Sequence, residues 1–388
     1  MKKKLSEIIA QALYDAGAAV TTYVPGYGGT EVFAKFCAIT NQKHPISFNE
    51  EVAYSIAHGA SLAGVRAASV MKAHGFVKAG NSVIDSLYAG TTAGFVTVIF
   101  DDKEGIHSDS IINIAAFLDG IGIPYRSGNP ETIYQDVVSG FEHSERYQLP
   151  YALIVEAREL DRLSAIDSRA VRSKSCSYKR EITQHVLCPF FSEYQHEVLR
   201  AKRQQDGEWT KQPKPAVPTI SDSLPDRWKP VAESYATLFA VFRSIRGKIV
   251  TGDTGVSSLF AFPPYNCVDI TTYMGGSIPL AIGAYLAGYT NVWAVTGDFS
   301  FIAAGHLGLP EAVQRKIPLK IVLFYNGKTE TTGGQPIPEG TLERIVSGYG
   351  DSVRYIHDPQ DRHEIESVLR EAANAKELRI VIADYREW

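Results

Sequence analysis

The chemistry in this chain concentrates at a few turns. Gly297 and Asp298 close the apolar run NVWAV, and Asn326 closes the next run, LKIVLFY, 28 residues after Asp298. Two oxygen-bearing side chains at the ends of adjacent strands suit one hard cation. Mg2+ takes six oxygen ligands in an octahedron and usually keeps positions for phosphate oxygens and water. The backbone carbonyl of Lys328 offers a third protein oxygen. Gly-Asp and Asn-Gly also mark ordinary turns, so the pair alone leaves both readings open. Upstream, the turn GDTG (Gly252, Asp253, Thr254, Gly255) follows a strand signal, and its amides suit a phosphate. In the first half, His74 lies in MKAHGF after another strand signal. It can exchange a proton near neutral pH, or it is a hydrogen-bonded structural histidine. His107, in EGIHSDS, belongs to a strand-end loop and suits a pocket wall. His306 follows GDFSF and has a weaker claim. Lys72 and Lys78 flank the His74 loop, either to hold an anionic substrate group or as solvated surface charges.

The elements that must place these groups alternate. TTYVPGYGG runs from strand into turn, EEVAYSIAHGASLAG is a small-residue helix, and RAASVMKAHG is a strand followed by a loop. FVTVIFDD, IPYRSG and PYALIVEA are further strands, with IINIAAFLDGIG a helix. The N-terminal LSEIIAQALYDAG is an amphipathic helix with Leu5, Ile8, Ile9 and Leu13 on one face. GKIVTGDTG, NVWAVTGDFS, PLKIVLFYNG and LRIVIADY repeat the pattern around helices GGSIPLAIGAYLAG and GLPEAVQRKI. Apolar strands alternating with helices predict an α/β chain: two doubly wound parallel-sheet domains. The expected boundaries are residues 1–165 and 233–388, with a polar, proline-rich linker at 166–232 between them.

Composition narrows the function. The 388 residues carry 39 Lys+Arg against 43 Asp+Glu, a net charge of −4, with 45% hydrophobic and 21% charged residues. That is an ordinary globular balance without the basic footprint of a nucleic-acid or membrane-surface binder. No apolar run approaches the ~18 residues of a membrane span. Cys37, Cys176, Cys188 and Cys267 are scattered without CxxC spacing, which excludes zinc and iron–sulfur ligation of the usual kinds and predicts reduced thiols in the cytoplasm.

GDFSFIAAGHLGLPEAVQRKIPLKIVLFYNGK resembles the metal motif of thiamine-diphosphate enzymes, in which GD(G) precedes an Asn by about 25–30 residues. It departs from that motif at Phe299 and Tyr325. NEEVAYSIAHGASLAG, TTYMGGSIPLAIGA and TTGGQP resemble segments of the same enzymes. The likeness is closest to the thiamine-diphosphate subunit of indolepyruvate ferredoxin oxidoreductases, and it extends to the phosphonopyruvate and sulfopyruvate decarboxylases. It implies thiamine diphosphate and Mg2+ as cofactors, a pyrimidine-binding first domain and a diphosphate-binding second domain. It further implies a 2-oxo acid substrate and a homodimer or dimer of dimers, with neither nucleic acid nor membrane as partner.

The resemblance also assigns roles. Gly252, Asp253, Thr254, Gly297, Asp298, Phe299 and Ser300 would line the diphosphate end, with Asp298, Asn326 and Lys328 on the metal. Met274 would hold the bent cofactor, and the Thr272 carbonyl would accept from its 4′-amino group. Glu50, nine residues before Gly59, would activate the cofactor by hydrogen bonding the pyrimidine nitrogen from an apolar pocket that raises its pKa. Glu51 is its rival, and spacing favours Glu50. Gly26 and Tyr27 in GYGG, His107 and Gln335 would face the substrate, with His74 a second catalytic group.

The chain ends at Trp388 without the clustered cysteines of the oxidoreductase subunit, which favours non-oxidative decarboxylation, with or without carboligation to an acceptor. The alternative is the thiamine-diphosphate subunit of a 2-oxo acid oxidoreductase working with a separate redox subunit. A catalytically silent relative that only binds is the third possibility.

Overall fold

The computed structural model describes residues 2–166, 168, 176–205 and 207–387. The chain divides into two compact units: Met1–Lys179 with Val198–Lys211, and Arg180–Glu197 with Gln212–Trp388.

The main sheet of the first unit has five strands: β1 (Val20–Tyr23), β2 (Ala67–Lys72), β3 (Phe95–Asp101), β4 (Tyr125–Ser127) and β5 (Tyr151–Glu156). They pair in the order β1-β2-β3-β5-β4, all parallel. β3 is buried along its whole length, as a strand covered on both faces must be. Helix α1 (Leu5–Asp15) buries Leu5, Ile8, Ile9 and Leu13, as its period predicts, against a core that includes Val70, Val98, Phe141 and Leu153.

Helix α2 (Glu50–Leu62) starts at an Asn49 N-cap, whose side chain accepts from the N–H groups of Glu51 at 2.9 Å and Val52 at 3.2 Å. Its Ala53, Ala57 and Ala60 are fully buried, and the Ala53 carbonyl accepts from the Thr22 hydroxyl of β1 at 2.8 Å. Small side chains let the helix lie this close to the sheet. One expectation fails locally. Residues 73–78 form a short helix rather than a loop, because Gly75 breaks the apolar pattern without breaking the backbone period.

The second unit carries six parallel strands: β6 (Ile249–Asp253), β7 (Ile270–Thr272), β8 (Val292–Gly297), β9 (Lys320–Tyr325), β10 (Val353–Ile356) and β11 (Arg379–Asp384). Their order is β10-β11-β9-β8-β6-β7. The chain runs outward from β6 to β7, then returns across β6 to continue from β8 to β9. Strand order therefore reverses between β6 and β8. In open α/β sheets, the crevice at the carboxyl ends of such a pair is the usual ligand site. Phe239, Phe242, Phe260 and Trp293 fill the core beneath.

Residues 166–232, expected as a linker, are shared between the units and are partly helical. Ser192–Arg203 forms a helix that crosses from one unit to the other in sequence. Val198, Leu199 and Lys202 are buried, and the Lys202 ammonium lies 4.6 Å over the Trp209 ring. Arg180 pairs with the buried Asp269 at 2.8 Å. The basic stretch at 169–175 lies outside the described residues. Among the described residues, no helix is long and apolar enough to cross a membrane.

Candidate active site

At the carboxyl ends of β6, β8 and β9 lies a cavity of about 280 Å³. Of the residues expected to bind the cofactor or its metal, Thr254, Met274, Gly297, Asp298, Phe299, Ser300, Asn326 and Lys328 line it. Three do not. Gly252 and Thr272 are buried within β6 and β7, and Asp253 lies fully inside the fold.

Asp298 is 2% exposed and follows the last residue of β8. Its Oδ1 accepts the Phe299 N–H at 2.7 Å. Its Oδ2 accepts the N–H groups of Asn326 at 3.1 Å and Gly327 at 2.7 Å. Burial pushes the carboxyl up to about 6, against the pull of those three N–H donors. The Asn326 side chain spends its amide hydrogens on Tyr235 and Glu330, and its Oδ1 accepts the Lys328 N–H at 3.1 Å. Glu330, which sequence reasoning missed, lies 3.2 Å from the Lys328 ammonium and also lines the cavity. Its position four residues after Asn326, in the same turn, was the available signal. Tyr235 lies 91 residues upstream and gave none.

Asp253 has a different part from the one expected. It accepts the Ser277 N–H at 2.8 Å and the Thr296 hydroxyl at 2.5 Å. It thereby ties the end of β6 to β8 and to the helix Ser277–Leu286. Burial raises its carboxyl to about 6, while these donors oppose the rise. Met274 is 37% exposed at the cavity, whereas Met71 is 1% exposed in the other unit's core. An apolar side chain left open beside oxygen donors suits a ligand with both an apolar body and an anionic end.

The donor chemistry fits Mg2+ and a diphosphate. Asp298, Asn326 and the Lys328 carbonyl are hard oxygen donors, and Oδ1 of Asp298 keeps acceptor capacity beyond its one N–H partner. Among the described residues there is no cluster of three His, Cys, Asp or Glu side chains that could hold a metal. A site here must therefore use amide and carbonyl oxygens. Gln335 is exposed in the loop after Asn326. It hydrogen bonds Thr329 through both its side chain and its backbone.

In the first unit, the strand ends gather the other expected residues into two neighbouring sets. The Tyr27 and His107 rings lie against each other, tilted by 40° with centroids 4.0 Å apart, and the Lys72 ammonium donates to the His107 carbonyl at 2.6 Å. Gly26 packs against the Lys72 side chain so closely that a Cβ would come within 2.9 Å of it. Burial raises the Tyr27 hydroxyl pKa, with Glu31 adding to the rise. His74 Nε2 is 2.9 Å from the Ser110 hydroxyl.

Glu50 stands at the first turn of α2 beside Gly75 and pairs with the Lys78 ammonium at 2.7 Å. The Glu50 side chain is 20% exposed in this ion pair. Its rival Glu51 is likewise partly buried. Burial raises its pKa, and contacts to Ser82 and Asn81 lower it.

Residues 253–383 match the family model of the thiamine pyrophosphate enzyme C-terminal TPP-binding domain. That span covers β7 to β10, all but the last residue of β11, the final residue of β6 and every residue of the cavity. The chain resembles the thiamine-diphosphate enzymes. Among curated proteins it is 29% identical over 167 residues to the indolepyruvate oxidoreductase subunit IorA of Archaeoglobus fulgidus, covering 40% of this chain and 27% of that protein. The corresponding subunit of Pyrococcus abyssi is 26% identical over 196 residues, 44% of this chain and 29% of the relative. The chain therefore aligns with less than a third of the length of these relatives.

Among solved structures, the thiamine diphosphate-dependent 4-hydroxybenzoylformate decarboxylase of Rhodococcus jostii RHA1 superposes with a TM-score of 0.68 at 14% identity. The alignment covers 99% of both chains. Benzoylformate decarboxylase of Polynucleobacter necessarius gives 0.67 at 12% identity, over 100% of this chain and 99% of that one. At such identities the likeness is one of fold, and both units take part in it.

Proposed function

We propose that this chain is a thiamine-diphosphate-dependent enzyme that decarboxylates a 2-oxo acid without oxidation, releasing an aldehyde or passing the product to an acceptor. The observation that carries this reading is the Asp298–Asn326 pair. A carboxylate and an amide stand at neighbouring strand ends, beside a cavity that also exposes Met274. Asp298, Asn326 and the Lys328 carbonyl are assigned to Mg2+, and Thr254 and Ser300 to the diphosphate. Met274 is assigned to support of the two rings, and the Thr272 carbonyl to the 4′-amino group.

When bound, thiamine diphosphate supplies a carbon nucleophile and then a sink for the electrons left as carbon dioxide departs. The chain's own groups do the rest. Glu50 holds a proton at the pyrimidine ring nitrogen. His74 orients the substrate carboxylate or returns a proton to the product. Tyr27, His107 and Gln335 are assigned to the substrate side. Pairing of two chains into a homodimer is part of the proposal, by likeness to the family.

A second reading has its own support. The curated relatives are indolepyruvate oxidoreductase subunits, which makes a thiamine-diphosphate subunit served by a separate redox partner the alternative. The test is a panel of 2-oxo acids with the purified protein, thiamine diphosphate and Mg2+ in air. Carbon dioxide and aldehyde released without an electron acceptor support the decarboxylase. Turnover only with an added redox subunit and acceptor supports the alternative and contradicts the first reading.

A further inference from the structure

Asn326 is the one proposed cation ligand that can turn itself around. An amide presents either its oxygen or its two N–H donors, and only the oxygen can bind a cation. Here both donors are committed. Asn326 Nδ2 donates to the Tyr235 hydroxyl at 2.8 Å and to Glu330 Oε2 at 3.1 Å. Reversing the amide would set its oxygen against the Glu330 carboxylate and forfeit that bond, while the Tyr235 hydroxyl could still donate to it. The oxygen is thereby held on the other side, where it accepts the Lys328 N–H.

The two acceptors are themselves fixed. Tyr235 is 2% exposed, and its ring packs at 5.1 Å from Phe324 and 4.5 Å from Tyr385. Glu330 is held by the Lys328 ammonium at 3.2 Å. Their shared loop is closed by Ile337 N–H to the Gly327 carbonyl at 2.7 Å and Thr329 N–H to the Gln335 carbonyl at 3.0 Å.

We propose that Tyr235 and Glu330 are positioning residues that lock the Asn326 amide with its oxygen toward a divalent cation. The inference rests on the reading of Asp298 and Asn326 as cation ligands and deepens it. Groups that orient a ligand commonly govern metal affinity by about 10–100-fold without touching the metal.

The test uses the full chain with thiamine diphosphate and Mn2+ as a spectroscopic probe. Free Mn2+ is read by electron paramagnetic resonance, and unfolding is followed without metal. Glu330→Ala should weaken Mn2+ binding by about tenfold or more, and Tyr235→Phe should weaken it less. Glu330→Gln keeps an acceptor for the Asn326 amide and should restore binding close to that of the parent chain. Mn2+ affinity unchanged in Glu330→Ala overturns the proposal. So does a loss in Glu330→Gln equal to that in Glu330→Ala, since charge and not orientation would then be responsible. If the parent chain takes up no Mn2+, or Asp298→Ala binds it equally well, the cation reading itself fails and takes this inference with it.

Discussion

The Asp298 carboxylate reaches the neighbouring strand end and accepts the backbone N–H of Asn326 at 3.1 Å. The pairing of Gly297 in β8 with Phe324 in β9 sets the distance. Parallel register thus brings together two residues 28 apart in sequence before any ligand is considered. The same carboxylate also holds Gly327, so the turn that carries Lys328 is anchored to β8.

Glu50→Gln tests the proposed activating group. The variant should still bind thiamine diphosphate, while exchange of the cofactor's C2 proton, followed by NMR in deuterium oxide, slows by about 100-fold or more. An unchanged exchange rate would remove Glu50 from the mechanism and bring Glu51 forward.

Gly75→Ala probes the same group sterically. A Cβ at Gly75 would lie 2.7 Å from Glu50 Cγ, so the side chain must shift away from its place beside Lys78. Misplacement on this scale should slow C2 exchange by roughly 10–100-fold, with cofactor affinity little changed. Equal exchange in the variant and the parent chain would show that Glu50 needs no fixed position.

Met274→Ala separates a cofactor support from a core residue. Met274 is already 37% exposed, so its truncation should barely move the melting temperature. Loss of its contact with a bound ligand should weaken thiamine diphosphate by about 1–2 kcal/mol, or about tenfold in Kd by calorimetry. A large drop in melting temperature with affinity intact would reverse that assignment.

Asp85 carries a pH prediction independent of the cavity. Burial, with the Glu51 charge adding to it, pushes its carboxyl from 3.8 to about 7. The folded state therefore keeps a proton that the unfolded state loses, and this contribution to stability fades as pH rises from about 4 to 7. Asp85→Asn should raise stability by about 1–2 kcal/mol at pH 8, after allowance for solvent screening, and by less at pH 5. Equal gains at both pH values in thermal unfolding would contradict the sign.

Much of the second unit was legible because its chemistry sits where apolar runs stop. NVWAV and LKIVLFY each end in an oxygen-bearing residue, and a parallel sheet aligns such ends without further information. The role of Asp253 was not legible. In sequence it looks like part of a phosphate turn, and only the packing of Thr296 and Ser277 around it shows a structural tie. The linker misled for a related reason. Its prolines and charges read as open chain, yet Val198 and Leu199 place one helix face in a core. The Lys78 partner of Glu50 was open to two readings, since a lysine near a loop looks the same whether solvated or paired.

The central claim is that Asp298 helps hold Mg2+ and thiamine diphosphate, and calorimetry of the full chain tests it most directly. Titration with thiamine diphosphate should show saturable uptake in the presence of Mg2+, lost on chelation and lost in Asp298→Ala at an unchanged fold by circular dichroism. Uptake in Asp298→Ala equal to that of the parent chain, or no uptake by the parent chain with Mg2+ present, would contradict the account.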